Sequence, residues 1–371
     1  MSAGRDRGVD AARGVAMVLM TATHALRAIQ PTSTPEFGRK LLGFVPIAVS
    51  DKFQRTGIEF GEWLLRIEPV TPMLFFVIAG WSLARSHRRS SDRGAWRRRH
   101  LLRALALWTI SVAIFFAYSG PQWPEILVSN GVLGCLAVSI AVGALLGGNT
   151  IAATSLLVAS VTAWLVLDRQ GIRIDGIDNG TFPLLPYLPV FLGAYLSERL
   201  LRWKSWTPTV LATIGATWVL VLSLRPGFRH LWGDWGITNT YQEYFQTAKH
   251  QYNGFALSSD LLQGLEPIPR RVGFWAPLPG LVPVAVALAG LCVQFLSAVA
   301  DRFPNRLRPL ALLGRHGLAY YLGHLVLLGA IGWTLPPQVD EASWTWLAAT
   351  IVVAGAGLAY AAWREPRGAT T

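Results

Sequence analysis

Arg13 and His24 stand eleven positions apart in a stretch that is otherwise mostly apolar. Eleven residues make three helical turns with about 20° left over, so on a helix both side chains leave from nearly the same face, roughly 16 Å apart along the axis. A guanidinium at the edge of a membrane binds phosphate through paired N–H donors. A neutral imidazole three turns deeper takes a proton from an attacking hydroxyl or amine. An extended pantetheine arm has a reach similar to that spacing, which suits a coenzyme A thioester held by its phosphates with its acyl carbon beside His24. The same two residues also fit a plainer role, an interface charge that orients the helix and an interior histidine bonded to a neighbour. Spacing alone does not choose between them.

Other residues could join such a site. Glu68, beside Pro69 and Pro72, is a candidate catalytic partner for His24. His316, Tyr320 and His324 follow one another at i, i+4 steps next to Arg315, and read either as acceptor-binding groups or as hydrogen bonds between helices. Arg99 and Arg103 open a later apolar segment, where they either hold phosphate or mark orientation. Trp232 and Trp235 lie in a stretch with Tyr241, Tyr244, Tyr252, Asp234, Asn239, Glu243 and Asn253. Such side chains stack on sugar faces and bind hydroxyls, or form an aromatic cap at the membrane interface.

The elements that must position these groups follow from composition. Hydrophobic side chains make up 52% of the 371 residues and charged ones 15%, and the mean hydropathy is +0.38. That is too apolar for a soluble domain of this size, so the bilayer is the solvent. Apolar segments long enough to cross about 30 Å of hydrocarbon fall near 10–29, 64–86, 99–119, 125–146, 150–167, 181–200, 207–224, 275–299, 308–334 and 344–363. The expectation is an all-α, polytopic membrane protein of about ten transmembrane helices, forming one domain over 1–371.

The connection from 85 to 103 carries Arg85, Arg88, Arg89, Arg93, Arg97, Arg98, Arg99 and Arg103, an excess that marks it as cytoplasmic. Alternation then places both termini inside and the long loops near 30–63 and 225–274 outside. Most of the net charge of +12 is explained by this asymmetry, and no nucleic-acid partner is expected. Cys135 and Cys292 lie inside apolar runs, so neither a disulfide framework nor a metal site is expected. The first apolar stretch lacks a convincing small-residue cleavage site and reads as a retained span.

Four segments carry a family resemblance. RGVDAARGVAMVLMTATHAL at 7–26 resembles the opening of the transmembrane acyltransferase superfamily, whose first span has an arginine, ten residues, then a histidine. PMLFFVIAGWSLARS at 72–86, FPLLPYLPVFLGAYL at 182–196 and LLGRHGLAYYLGHLVLL at 312–328 resemble later spans, in the same order. The superfamily includes acyltransferase family 3, which decorates envelope polysaccharides, and the heparan-α-glucosaminide N-acetyltransferase-like proteins. The AMVLM run and the FPLLP segment lean toward the second branch. Met73 stands where family 3 proteins tend to have an aspartate before the FF of the second span. His100 stands where an arginine often precedes Arg103 by three, with Arg99 one step earlier. The heparan-type branch has its catalytic histidine in the first outer loop, whereas here no histidine lies between His24 and His87, so if the chain is an enzyme the resemblance implies that His24 does the work.

The resemblance implies an enzyme of the cell (inner or plasma) membrane, surrounded by lipid. It would take acetyl-CoA or another acyl-CoA from the cytoplasm, with no metal, and pass the acyl group to an envelope glycan or glycolipid. Arg13, Arg99, Arg103 and Arg315 would hold the donor, His24 and Glu68 would act in catalysis, and His316, Tyr320, His324, Trp232 and Trp235 would hold the acceptor. The rival expectation is a transporter or lipid flippase, in which the same buried Arg and His line a substrate or proton path.

Overall fold

In lipid a backbone must satisfy its own hydrogen bonds, and long apolar runs do so as helices. The computed structural model describes residues 7–29, 70–119, 125–128, 130–170, 182–201, 282–303, 305–334 and 345–365, with residues 174 and 177. All regular structure among them is helical. In chain order the helices are α1 (Arg7–Ile29), α2 (Val70–Arg89), α3 (Arg93–Ser119), the single turn α4 (Glu125–Val128), α5 (Val132–Leu146), α6 (Thr150–Gln170), α7 (Leu184–Leu201), α8 (Val282–Arg302), α9 (Arg308–Arg315), α10 (Gly317–Thr334) and α11 (Thr345–Arg364). By length and composition, Arg93–Phe116, Thr150–Leu167 and Trp346–Arg364 can cross a membrane, and Val132–Leu146 and Gly317–Ile331 are shorter apolar helices. The expected span near 207–224 and both long outer loops lie outside the described residues.

Three expected boundaries move, the first being the expected span 125–146, which divides into the single turn α4 and the helix α5. The basic connection at 85–103 is nearly all helix, because arginine is a good helix former and Asp92 starts α3 by accepting from the Ala95 amide at 2.9 Å. The expected span 308–334 is two helices that meet at His316, whose backbone departs from helical geometry (φ −99°, ψ 25°). The flanking bonds from the His316 amide to Leu312 (3.2 Å) and from the Tyr320 amide to His316 (2.9 Å) keep the two in sequence. Between α5 and α6 the chain reverses through Gly147 (φ 56°) and Gly148 (φ 87°), left-handed conformations that close a helix without a Cβ clash. Asn149 then caps α6 through the Ala152 amide at 3.0 Å.

The helices sort into two compact units. One holds α1, α9, α10, α11 and residues 292–302 of α8. Here α1 offers a face of small residues, with Ala11, Ala12, Ala16 and Ala25 fully buried, the kind of surface that lets helices in lipid approach closely. A Cβ at Gly14 would overlap the Leu310 carbonyl of α9, and one at Gly314 would overlap the Asp10 carbonyl of α1. At the other end of α1, Ala25 packs with Leu328, Ala349, Val353 and Ile331.

The second unit holds α2 to α7. Its core is aromatic: Phe76, Trp96, Tyr187, Phe191 and Tyr195 are nearly or wholly inaccessible, with Phe76 stacked on Tyr187 at 4.8 Å between centroids. Gly80 of α2 sits against the Phe191 carbonyl of α7, and Gly143 of α5 against the Leu83 and Phe191 side chains.

These close approaches predict that Gly314→Ala pushes α1 and α9 apart and destabilises the protein by about 1–3 kcal/mol. Gly355→Ala, whose added methyl meets nothing within 4 Å, should be neutral or stabilising by up to about 1 kcal/mol. Thermal unfolding of the two variants in detergent tests the contrast.

Candidate functional site

Polar side chains buried between apolar helices need partners, and in the first unit they find them across α1 and α10. Thr21 is fully buried and Tyr320 is 4% exposed; their hydroxyls lie 2.8 Å apart. One turn further along, His24 Nδ1 lies 2.9 Å from His324 Nε2, with the rings stacked at 5.1 Å between centroids. His24 is 9% exposed and His324 1%. The spacing explains the register: Thr21 and His24 are three apart on α1, Tyr320 and His324 four apart on α10, so each helix presents one face. Tyr320 stacks on His324 and Tyr321 meets it edge-on. Gly357 of α11 leaves room for the Tyr320 ring, which a Cβ there would overlap.

At the N-terminal end of α1 lies an ionic group. Asp10, 1% exposed, accepts from Arg13 at 2.9 Å and faces Arg315 Nε at 3.5 Å. Arg315 also pairs with Glu365, which lies 3.5 Å from Arg308. The Arg13 side chain keeps 26% exposure. Because α1 is one unbroken helix, Arg13 and His24 do share a face about three turns apart.

The second unit gathers its own charges. Glu198 of α7, 1% exposed, accepts from Trp81 Nε1, from Arg88 at 2.7 Å and from Arg85 at 3.4 Å. Its neighbour Arg199 donates to the Gly148 carbonyl at 2.8 Å and to His87 Nδ1 at 3.2 Å. Burial, reinforced by Arg199 and Arg93, lowers the pKa of His87, so its Nδ1 lone pair remains available to that guanidinium.

The sequence candidates are thus distributed as follows. Arg13, Arg315, His24, Tyr320 and His324 fall in the first unit, with the two histidines in direct contact. His316, at the break between α9 and α10, is set apart from that pair and faces Tyr360 of α11 at 6.2 Å. Arg99 and Arg103 are on the exposed face of α3. Glu68, Trp232 and Trp235 lie outside the described residues. Sequence reasoning passed over Asp10 and Glu198, although a carboxylate inside an apolar run is itself a signal of a buried ion pair.

Residues 6–364 match the model of acyltransferase family 3, described as an acyltransferase domain. That interval contains every helix described above and all four resembling segments. No curated protein matches the chain. The match falls on the family 3 side of the resemblance, and nothing comparable supports the heparan-type leaning.

Removing the buried Glu198 carboxylate leaves Arg85 and Arg88 facing an uncompensated hole. Glu198→Ala should therefore cost about 3 kcal/mol, the lower end for a broken buried pair because both arginines keep some access to water. Glu198→Gln, which retains an acceptor for Trp81, should cost less in the same unfolding measurement.

Proposed function

The chain belongs to acyltransferase family 3, and on that premise we propose that it is a multi-pass enzyme of the cell membrane that moves an acyl group, acetyl in the first place, from cytoplasmic acyl-CoA to an envelope glycan or glycolipid. Family membership makes it a membrane acyltransferase. The donor and acceptor are our reading, and the observation that carries it is the buried His24–His324 contact on the same helix that bears Arg13 three turns away.

In this reading ten spans place both termini, Arg13 and the basic turns in the cytoplasm. Arg13 is the donor's first phosphate contact, since it is tied to Asp10 yet its side chain keeps 26% exposure. Arg315, held between Asp10 and Glu365, adds positive potential beside it, and Arg99 and Arg103 attract the polyanionic donor to the membrane surface.

His24 takes the proton from the acceptor hydroxyl or amine as that oxygen or nitrogen attacks the thioester carbonyl carbon. The tetrahedral adduct collapses by breaking the C–S bond, and the imidazolium returns its proton to the departing sulfur. The products are free coenzyme A and an acyl ester or amide. A two-step route, in which His24 first carries the acyl group and coenzyme A leaves before the acceptor arrives, balances equally well.

In membrane vesicles with the cytoplasmic face outward, His24→Ala should cut coenzyme A release from acetyl-CoA by about 10²-fold or more. Arg13→Ala should mainly raise KM for acetyl-CoA, by about tenfold, the value of one lost charged hydrogen bond. Free coenzyme A should compete with acetyl-CoA for the wild-type protein. Full coenzyme A release by His24→Ala would overturn the assignment.

A further inference from the structure

An imidazole serves as a base only through the ring nitrogen that carries a lone pair, and the hydrogen bond at the other nitrogen decides which one that is. The chain of contacts at His24 settles the choice from its far end. His324 Nδ1 lies 3.3 Å from the carbonyl oxygen of Tyr320, one turn back on α10. A carbonyl only accepts, so Nδ1 of His324 carries the hydrogen and, in the neutral ring, Nε2 carries the lone pair. That Nε2 is the atom 2.9 Å from His24 Nδ1. His24 must therefore donate through Nδ1, and its own lone pair is on Nε2.

We infer that His324 is the positioning residue of the transfer reaction: by accepting from His24 Nδ1–H it holds His24 in the tautomer, and at the ring angle, that presents a basic Nε2. The inference rests on the reading of His24 as the base. Nothing in family membership assigns this role to His324, and by spacing alone it belonged with the acceptor-binding stripe.

The surroundings support a purpose beyond packing. His324 is 1% exposed, and its position along α1 is set by a second bond one turn away. Thr21 Oγ1 donates to the Met17 carbonyl at 2.9 Å, which uses its only hydrogen, so Tyr320 O–H is the donor in the 2.8 Å contact with Thr21. Tyr320 thus serves both rungs, through its hydroxyl to α1 and through its carbonyl to His324. Along the chain from the Tyr320 carbonyl to His24 Nδ1 no carboxylate takes part. A carboxylate in the place of His324 would fix the same tautomer, but would bring an unpaired charge between apolar helices. When His24 takes a proton at Nε2, its Nδ1–H bond to the neutral His324 becomes charge-assisted and stronger.

The test compares two replacements in the full-length protein. In His324→Gln an amide oxygen can stand where Nε2 was and accept from His24; in His324→Leu nothing can. His324→Leu should lower kcat for coenzyme A release by about 10²-fold with KM for acetyl-CoA unchanged, and His324→Gln should recover activity to within several-fold of wild type. Nitrogen-15 NMR of histidine-labelled protein, with the His24 signals assigned by their loss in His24→Ala, should show the Nδ1–H tautomer at His24 in wild type and Gln variants and not in the Leu variant. Equal kcat in Leu and Gln variants, or an Nε2–H tautomer at His24 in the wild type, would overturn the inference. The two readings fail separately. An inactive His24→Ala beside a fully active His324→Leu removes only the positioning role, whereas a fully active His24→Ala with the predicted NMR signature leaves the tautomer intact and removes His24 as the base.

Discussion

Two imidazoles sharing a hydrogen across a buried helix interface form the interaction on which the rest of the first unit depends. Both rings are largely withdrawn from solvent, so each must be brought to the other with little tolerance in distance or angle. That demand explains features which look like plain packing. The wholly buried alanines of α1, the glycine crossings with α9 and the space left by Gly357 for the Tyr320 ring all let backbones come close enough for short polar side chains to meet. The Thr21–Tyr320 bond adds a second fixed point, and two points set the register of one helix on another.

Charge is handled by the same principle at the helix ends. Asp10 in one unit and Glu198 in the other are each almost inaccessible and each faced by two arginines. A lone buried carboxylate would be costly, and a lone row of arginines would repel itself; together they make a net positive surface that stays attached to the fold. The arginines are therefore not all alike. Arg85, Arg88, Arg199 and Arg315 are committed to named acceptors, while Arg99 and Arg103 remain on an exposed face.

Much of this could be read before any coordinates. Apolar length located the helices, and the eleven-residue interval correctly put Arg13 and His24 on one face, because helical periodicity is a local property. The i, i+4 stripe on α10 was equally visible. What it faced was not: His24 and His324 are 300 positions apart, and sequence spacing carries no information about which helix meets which. His316 belongs to the same i, i+4 stripe by spacing, but the helix breaks there, at the α9–α10 junction next to Gly317, and spacing does not show such a break. In the connection at 85–103 the arginines signal charge first, and the helical start of α3 depends on their helix propensity and on the Asp92 cap. Glu198 escapes sequence reasoning because it stands beside Arg199, in a turn that reads first by its basic residues.

The central claim is that a donor held at Arg13 delivers its acyl carbon to His24, and the most direct measurement is the structure of the protein with a non-hydrolysable acetyl-CoA analogue bound. The account predicts a phosphate within hydrogen-bonding distance of Arg13 and the acyl carbonyl carbon within about 4 Å of His24 Nε2. An analogue bound with its phosphates at Arg13 but its acyl end directed away from the two histidines, or bound wholly outside the unit that contains α1 and α10, would contradict it.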